Sequence, residues 1–171
     1  MDELKIPEDR VACLIGKTGI TKRLIEKKTK CKLEISSEGD VIIEGEALDS
    51  YLCQSIVKGV GRGFNPSIAL KLLREDYVLV VISISDFCGK SKKDLIRVRA
   101  RLIGEQGKVR VMLERLGEVD IVIYGKTVSI IGNINEVVIA KQALENLIRG
   151  SKHGNVYKLI RKRKDQNKFR D

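Results

Sequence analysis

Few residues in this chain of 171 have the type and spacing to do chemistry, and the most telling are four glycines. Gly16 and Gly19 frame Lys17-Thr18, and Gly104 and Gly107 frame Glu105-Gln106. Two glycines three apart let the backbone turn tightly and come close to something large. If a helix starts just after them, its free N–H groups and its dipole favour an anion such as a phosphate. Alone the motif is weak, because such pairs arise by chance and also suit a plain corner between two helices.

Other chemistries fail on spacing. Gly16-Lys17-Thr18, Gly89-Lys90-Ser91 and Gly125-Lys126-Thr127 each look like the end of a P-loop. That motif needs a glycine five residues before the last one, where this chain has Val11, Ile84 and Asp120. Cys13, Cys31, Cys53 and Cys88 make no Cys-x-x-Cys pair, and His153 is the single histidine. The cysteines read as small core residues of a reduced protein, and no metal site or cofactor is expected. His153, beside Gly154 in a basic segment, reads as an exposed linker residue. With no paired catalytic constellation, the expectation is a protein with no catalytic residue and no enzymatic activity.

An internal repeat raises the weight of the glycine pairs. At a fixed offset Leu14-Ile15 falls on Leu102-Ile103, Leu24-Ile25 on Met112-Leu113, and Leu33 and Ile35 on Ile121 and Ile123. After a one-residue adjustment in a turn, Gly45 falls on Gly132, Leu52 on Ile139 and Val60 on Leu147. Repetition on this scale describes two copies of a whole small domain. Each copy would be marginal alone.

Those copies must position the glycine loops, and their elements are legible. Leu4-Lys5-Ile6 reads as a short strand, Val11 to Ile15 as a helical turn, and Ile20, Leu24 and Ile25 as one face of a helix reaching about Lys28. Lys32–Ser36 and Val41–Glu44 read as strands around a Glu38-Gly39-Asp40 turn. Asp49 is placed to cap a closing helix with Leu52, Ile56 and Val60 inside. Asn65-Pro66 breaks the chain, and Ser67–Leu73 suits a connecting helix. The second copy repeats the order: a strand over Tyr77–Ile84, a helix over Ser91–Ile103, and a buried helix face at Val109, Met112, Leu113 and Leu116. A hairpin follows across Gly125-Lys126, then a helix over Ile134–Ile148 capped near Asn133 or Asn135. The expected domains are 1–64, a linker helix at 65–76, a second domain at 77–150, and a basic tail at 151–171. In the tail a short helix is expected over Asn155–Arg163, with loose residues beyond it.

Charge separates the copies. The chain carries a formal +10, yet residues 1–64 hold 11 basic and 11 acidic residues. Residues 150–171 hold 8 basic against 2 acidic, and 90–110 hold eight basic against Asp94 and Glu105. Clustered Lys and Arg suit a polyanion, although they also suit a solvated basic surface. No apolar run approaches a membrane span and the first residues open no signal peptide, so a cytoplasmic location is expected.

The element order and the loop position resemble the type I KH domain, twice over. The resemblance implies an α+β fold, with a three-stranded antiparallel sheet on three helices in each copy. It also implies a groove for about four single-stranded nucleotides, with the Gly-x-x-Gly loop on their backbone. On that reading Gly16, Lys17, Thr18, Gly19, Lys22 and Arg23 serve the first copy. Gly104, Glu105, Gln106, Gly107, Lys108, Arg110, Lys93, Arg97, Arg99 and Arg101 serve the second. Ile20, Leu24, Ile35, Val109, Met112 and Ile123 are groove or core. Three Phe, four Tyr and no Trp leave little for the stacking platforms of other RNA-binding folds. The second copy is expected to dominate, since its net +6 outweighs the misplaced Glu105.

Further stretches are similar to the two-KH small-subunit ribosome-maturation proteins, the archaeal relatives of eukaryotic Dim-two, partner of the Nob endonuclease. They are Gly61-Arg62-Gly63-Phe64, Ala69-Leu70-Lys71-Leu72-Leu73, Asp76-Tyr77-Val78, Arg101-Leu102-Ile103-Gly104, Ile139-Ala140-Lys141-Gln142-Ala143-Leu144 and the run from Gly150 to Tyr157. The resemblance implies binding near the 3′ end of small-subunit rRNA, and an endonuclease or another assembly or initiation protein as partner of the first copy. In eukaryotic members the first glycine pair is eroded, whereas this chain keeps Gly16 and Gly19. Two other classes remain: an adaptor whose KH folds are only scaffold, and a single-stranded DNA binder.

Overall fold

Short antiparallel strands and helices with one apolar stripe build the same unit twice. The computed structural model describes residues 1–89 and 91–170, so Lys90, one of the basic residues counted above, lies outside the described residues. The chain divides into two compact units, Met1–Glu75 and Asp76–Asp171.

In the first unit, β1 (Asp2–Lys5), β2 (Lys32–Ile35) and β3 (Asp40–Glu44) form an antiparallel sheet in the order β1-β3-β2. Leu33 pairs with Ile43 and Leu4 with Val41, so the buried residues of the strands share one face. The helices α1 (Glu8–Ile15), α2 (Ile20–Thr29) and α3 (Ala47–Gly61) close that face with Leu14, Ile25, Ile56 and Val60, all buried. Arg10 fastens α1 to the end of α3, donating from Nε to Val60 O and from Nη2 to Phe64 O, both at 2.9 Å. It thereby adds a second hydrogen bond at Val60 O, which already accepts from Gly63 N–H, and holds the chain that leaves α3 at Phe64.

Two expectations change here. Asp49 does not cap α3, which begins two residues earlier with Glu46 at the N-cap. Asp49 lies inside the first turn, where its charge still favours the positive end of the helix dipole. The segment expected as a linker at 65–76 belongs to the first unit up to Glu75. It forms α4 (Pro66–Ala69), capped by the Asn65 side chain, and then a tight turn over Leu70–Leu73. Ala69 and Leu72 are buried, and both pieces lie against α3.

In the second unit β4 (Tyr77–Ser83), β5 (Asp120–Tyr124) and β6 (Thr127–Asn133) repeat the topology as β4-β6-β5. The hairpin across Gly125-Lys126 pairs Tyr124 with Thr127. A short α5 (Ser85–Cys88) precedes α6 (Lys92–Ile103), whose N-cap Ser91 accepts from Asp94 N–H. Then come α7 (Lys108–Gly117) and α8 (Ile134–Ile148), the latter capped by Asn133. The core gathers Ile84, Val98, Leu102, Leu113, Val128, Ile130, Leu144 and Leu147.

The tail is the largest correction. Residues His153–Lys168 are one helix, α9, and Val156 and Ile160 are buried in the core of the second unit. Apolar residues four apart give it one dry edge, enough to dock on α7 and α8 despite its charge. Cys31 and Cys53 are buried and Cys13 and Cys88 half-buried, all with free thiols. Burial pushes the Cys53 thiol up to about 12.

Candidate nucleic-acid interface

The glycine loops have the same backbone in both units. Gly16 and Gly104 sit at φ/ψ of 73/173° and 73/176°. Thr18 and Gln106 sit at 54/24° and 53/27°, and Gly19 and Gly107 at 78/14° and 74/10°. Three consecutive helical pieces therefore meet in one shape: α1 or α6, a single tight turn, then α2 or α7.

The two glycines of each pair have different reasons to be glycine. A Cβ on Gly16 would lie 2.2 Å from Thr21 Oγ1, and one on Gly104 2.3 Å from Val109 Cγ2. The first glycine thus lets the next helix pack against the turn. A Cβ on Gly19 or Gly107 would meet nothing within 4 Å. The second glycine faces open space, where its missing side chain leaves room for an incoming backbone. Within the turn, the N–H groups of Gly16, Gly19 and Ile20 are committed to Ala12 O, Gly16 O and Lys17 O. The two residues between the glycines take no part in those bonds through their N–H groups and stand at the positive end of a ten-residue helix, where an anion would be favoured.

The expected cations divide into groups. Lys17, Thr18, Lys108, Glu105 and Gln106 are exposed at the loops, as are Lys93 and Arg97 on α6, where Arg97 Nη2 lies 3.5 Å from Asp94. Arg23 is exposed but braces the first loop, donating from Nη2 to Thr18 O at 2.9 Å. Its counterpart in the repeat is Val111, so the second loop has no such brace. Arg101 points elsewhere, donating from Nη2 to Ser151 O at 2.6 Å, while its own carbonyl lies 3.1 Å from His153 Nε2. Arg99 is half-buried, with its Nε buried and without a hydrogen bond. Arg99 and Arg101 are thus partly withdrawn from the loop surface. His153 is half-buried at a helix junction rather than exposed in a linker.

One pair of residues was missed by sequence reasoning. Glu26 Oε1 accepts from Leu33 N–H at 2.8 Å, and Glu114 Oε1 accepts from Ile121 N–H at 2.9 Å. The same carboxylates face Lys22 at 4.0 Å and Arg110 at 3.0 Å. Each glutamate therefore ties the helix after the loop to the strand opposite, and holds a site cation beside it. The only signal in sequence was that both glutamates, and both cations, fall at matching positions of the repeat.

The aliphatic residues split as well. Ile25 and Leu113 are core, but Ile20 is 58% and Leu24 40% exposed, so the three do not share one buried face. The matching residues Lys108 and Met112 are exposed and half-buried, and Ile35, Ile123 and Val109 are half-buried. The strip beside the first loop is thus the more apolar of the two.

Two antiparallel β-α-α-β-β-α units, each with this turn between the two helices that precede its second strand, define a tandem type I KH protein. Family comparison agrees: the KH domain matches residues 1–58, and the eukaryotic-type (type I) KH domain, in its PNO1 second-domain form, matches residues 78–165. The chain belongs to the Dim2/PNO1 family of two-KH proteins. It is 44% identical over 168 residues to a KH domain-containing protein of Methanocaldococcus jannaschii, covering 95% of this chain and 74% of that one. Dim2p of Pyrococcus horikoshii, crystallised with a/eIF2alpha and rRNA, superposes with a TM-score of 0.88 at 44% identity, covering 96% of this chain and 94% of that one. The pre-rRNA-processing protein pno1 of Aspergillus fumigatus is 32% identical over 111 residues, 64% of this chain and 44% of its own length. This chain therefore spans less than half of that eukaryotic relative.

Proposed function

We propose that the protein holds a short single strand of RNA, namely small-subunit rRNA or its precursor near the 3′ end, during maturation of that subunit. The observation that carries the reading is the pair of superimposable turns whose second glycine opens onto free space. The similarity to Dim2p, whose crystals contain rRNA, and to a pre-rRNA-processing protein supports the choice of RNA and of substrate. The protein holds the strand without reacting with it, and does so in the cytoplasm. None of the helices among the described residues is long and apolar enough to cross a membrane.

The geometry also selects the clean test. Substituting Gly16 or Gly104 would drive a side chain into Thr21 or Val109, so lost binding would be confounded with lost structure. Gly19→Asp and Gly107→Asp add a carboxylate in open space, and Asp tolerates a positive φ better than most residues. Anisotropy titrations use a short strand from the rRNA 3′ end and a scrambled control. Gly107→Asp should weaken sequence-preferring binding about tenfold or more, as expected for a lost hydrogen bond to a charged group plus repulsion. Gly19→Asp should cost less. Unchanged affinity in both variants would sink the loop mechanism.

A second reading is favoured by one surface. On α3 of the first unit Leu48 and Tyr51 are 72% and 67% exposed on adjacent turns. Large apolar groups there suit a protein partner, and the relative crystallised with a/eIF2alpha makes an initiation factor a natural probe. Tyr51→Glu should abolish salt-insensitive binding of that factor and leave RNA affinity intact.

A further inference from the structure

Helix α9 displays a cluster of exposed cations. Lys158, Arg161, Lys162 and Arg163 are exposed, and no ion pair involves them among the described residues. Local pairing occupies some cations of the other helices, Arg97 with Asp94, Arg110 with Glu114 and Lys141 with Glu145, whereas Lys27 and Lys28 on α2 and Lys92 and Lys93 on α6 are also exposed with no ion pair among the described residues. Helical spacing puts Lys158 beside Arg161 and Lys162 on the next turn, away from the docked edge at Val156 and Ile160. Between them stand the half-buried Leu159 and the buried Ile160, and the helix has no large exposed apolar side chain before Phe169. A protein interface would want an apolar or aromatic anchor within the patch. A phosphodiester backbone needs only cations.

The ends of α9 relate this face to the second glycine loop. The helix starts against the end of α6, through Arg101 and His153, and Arg101 stands three residues before Gly104. Toward its other end Lys164 is held by Glu118, the C-cap of α7, and lies 3.3 Å from Glu136 on α8. Since α7 begins at Lys108, next to Gly107, and ends at Gly117, α9 follows its length, about 15 Å for ten residues. The cations therefore extend from the loop region along the helix that leaves it. A KH groove takes only about four nucleotides, so a longer RNA must run on past it.

We propose that α9 is a second, sequence-independent phosphate surface, built by Lys158, Arg161 and Lys162, that grips the backbone of RNA flanking the strand held at Gly104–Gly107. The proposal rests on the RNA reading above. Two probes separate the two claims: a core strand of about four nucleotides, and the same core with about ten abasic nucleotides added at either end. Wild-type protein should bind the flanked RNA more tightly, with a steeper salt dependence. The variant K158Q/R161Q/K162Q should bind the core as wild type does and lose the gain from the flank. Its salt slope on flanked RNA should fall by about 2, from roughly 0.7 per contact on a single strand. If the core binds but the flank adds nothing in wild type, α9 is not a phosphate surface and the RNA reading stands. If the variant loses core and flanked binding equally, the residues belong to the groove and the proposal is overturned. If wild type binds neither RNA, both claims fall together. The wild-type comparison needs no substitution, so it holds even if the variant folds poorly.

Discussion

At the scale of single residues, the loop depends on a carboxylate as much as on its glycines. Glu114 accepts the Ile121 N–H and faces Arg110, and Glu26 does the same for Leu33 and Lys22. Removing the acceptor leaves a strand N–H that has little access to water. Glu114→Ala should therefore destabilise the second unit by about 1–3 kcal/mol, measured by chemical denaturation. Glu114→Gln keeps an acceptor for Ile121 and loses only the ion pair, so it should lie much closer to wild type. Equal losses from the two variants would show that the ion pair, not the backbone bond, is what matters. The glycine pairs were legible because a repeated pattern with a physical use stands out. The glutamates were not, because a glutamate on a charged helix has no mark of its own until the strand opposite is in place. Arg101 shows the converse: a cation three residues before the loop looks like a ligand for phosphate, and only the fold reveals that its guanidinium also donates to Ser151 O.

At the scale of elements, periodicity sufficed where apolar residues were dense. The hairpin, α6 and α8 follow their sequence patterns to within a residue or two at each end. On α9 it gave a helix over Asn155–Arg163 but neither its full length nor its docking, because the dry edge rests mainly on Val156 and Ile160 amid cations, too thin a signal to distinguish a docked helix from a basic tail. Because Ile160 is buried, Ile160→Ala should cost about 2–5 kcal/mol, whereas Phe169→Ala, at a residue 91% exposed, should cost almost nothing. Thermal melts of the two variants make that comparison directly. The same helix should respond to acid. Its Lys164 holds the Glu118 carboxyl below the usual carboxylate range, chiefly through their hydrogen bond. A lowered carboxyl adds stability that is present above its ordinary value and fades as pH falls through the lowered one. Glu118 is largely exposed, so the gain is below about 1 kcal/mol. Glu118→Gln should melt slightly below wild type at neutral pH, with the difference closing in acid. A gap that widened in acid would contradict the pairing.

At the scale of the molecule, one fold is used twice with unequal charge. Nine of the ten net positive charges fall in Asp76–Asp171, and the first unit is nearly neutral. The two-domain plan was legible from the internal repeat, and this imbalance from composition over long stretches. The border at Glu75 was not, because Asn65-Pro66 reads as a break, although α4 and the turn after it fold back on α3. The second unit has its own closed core running from Ile82 to Ile160, and α9 contributes to it. A fragment covering residues 76–171 should therefore melt cooperatively, while one ending at 150 should not, because it strips Val156 and Ile160 from that core. Counterion release follows the cations near phosphate, so the longer fragment should keep nearly the salt slope of the intact chain on flanked RNA. The fragment covering residues 1–75 should bind weakly and with a shallow slope. If instead that first fragment carried most of the affinity, the apolar strip at Ile20 and Leu24 and the loop braced by Arg23 would outweigh the charge. The division of labour between the copies would then be the reverse of the one their composition suggests.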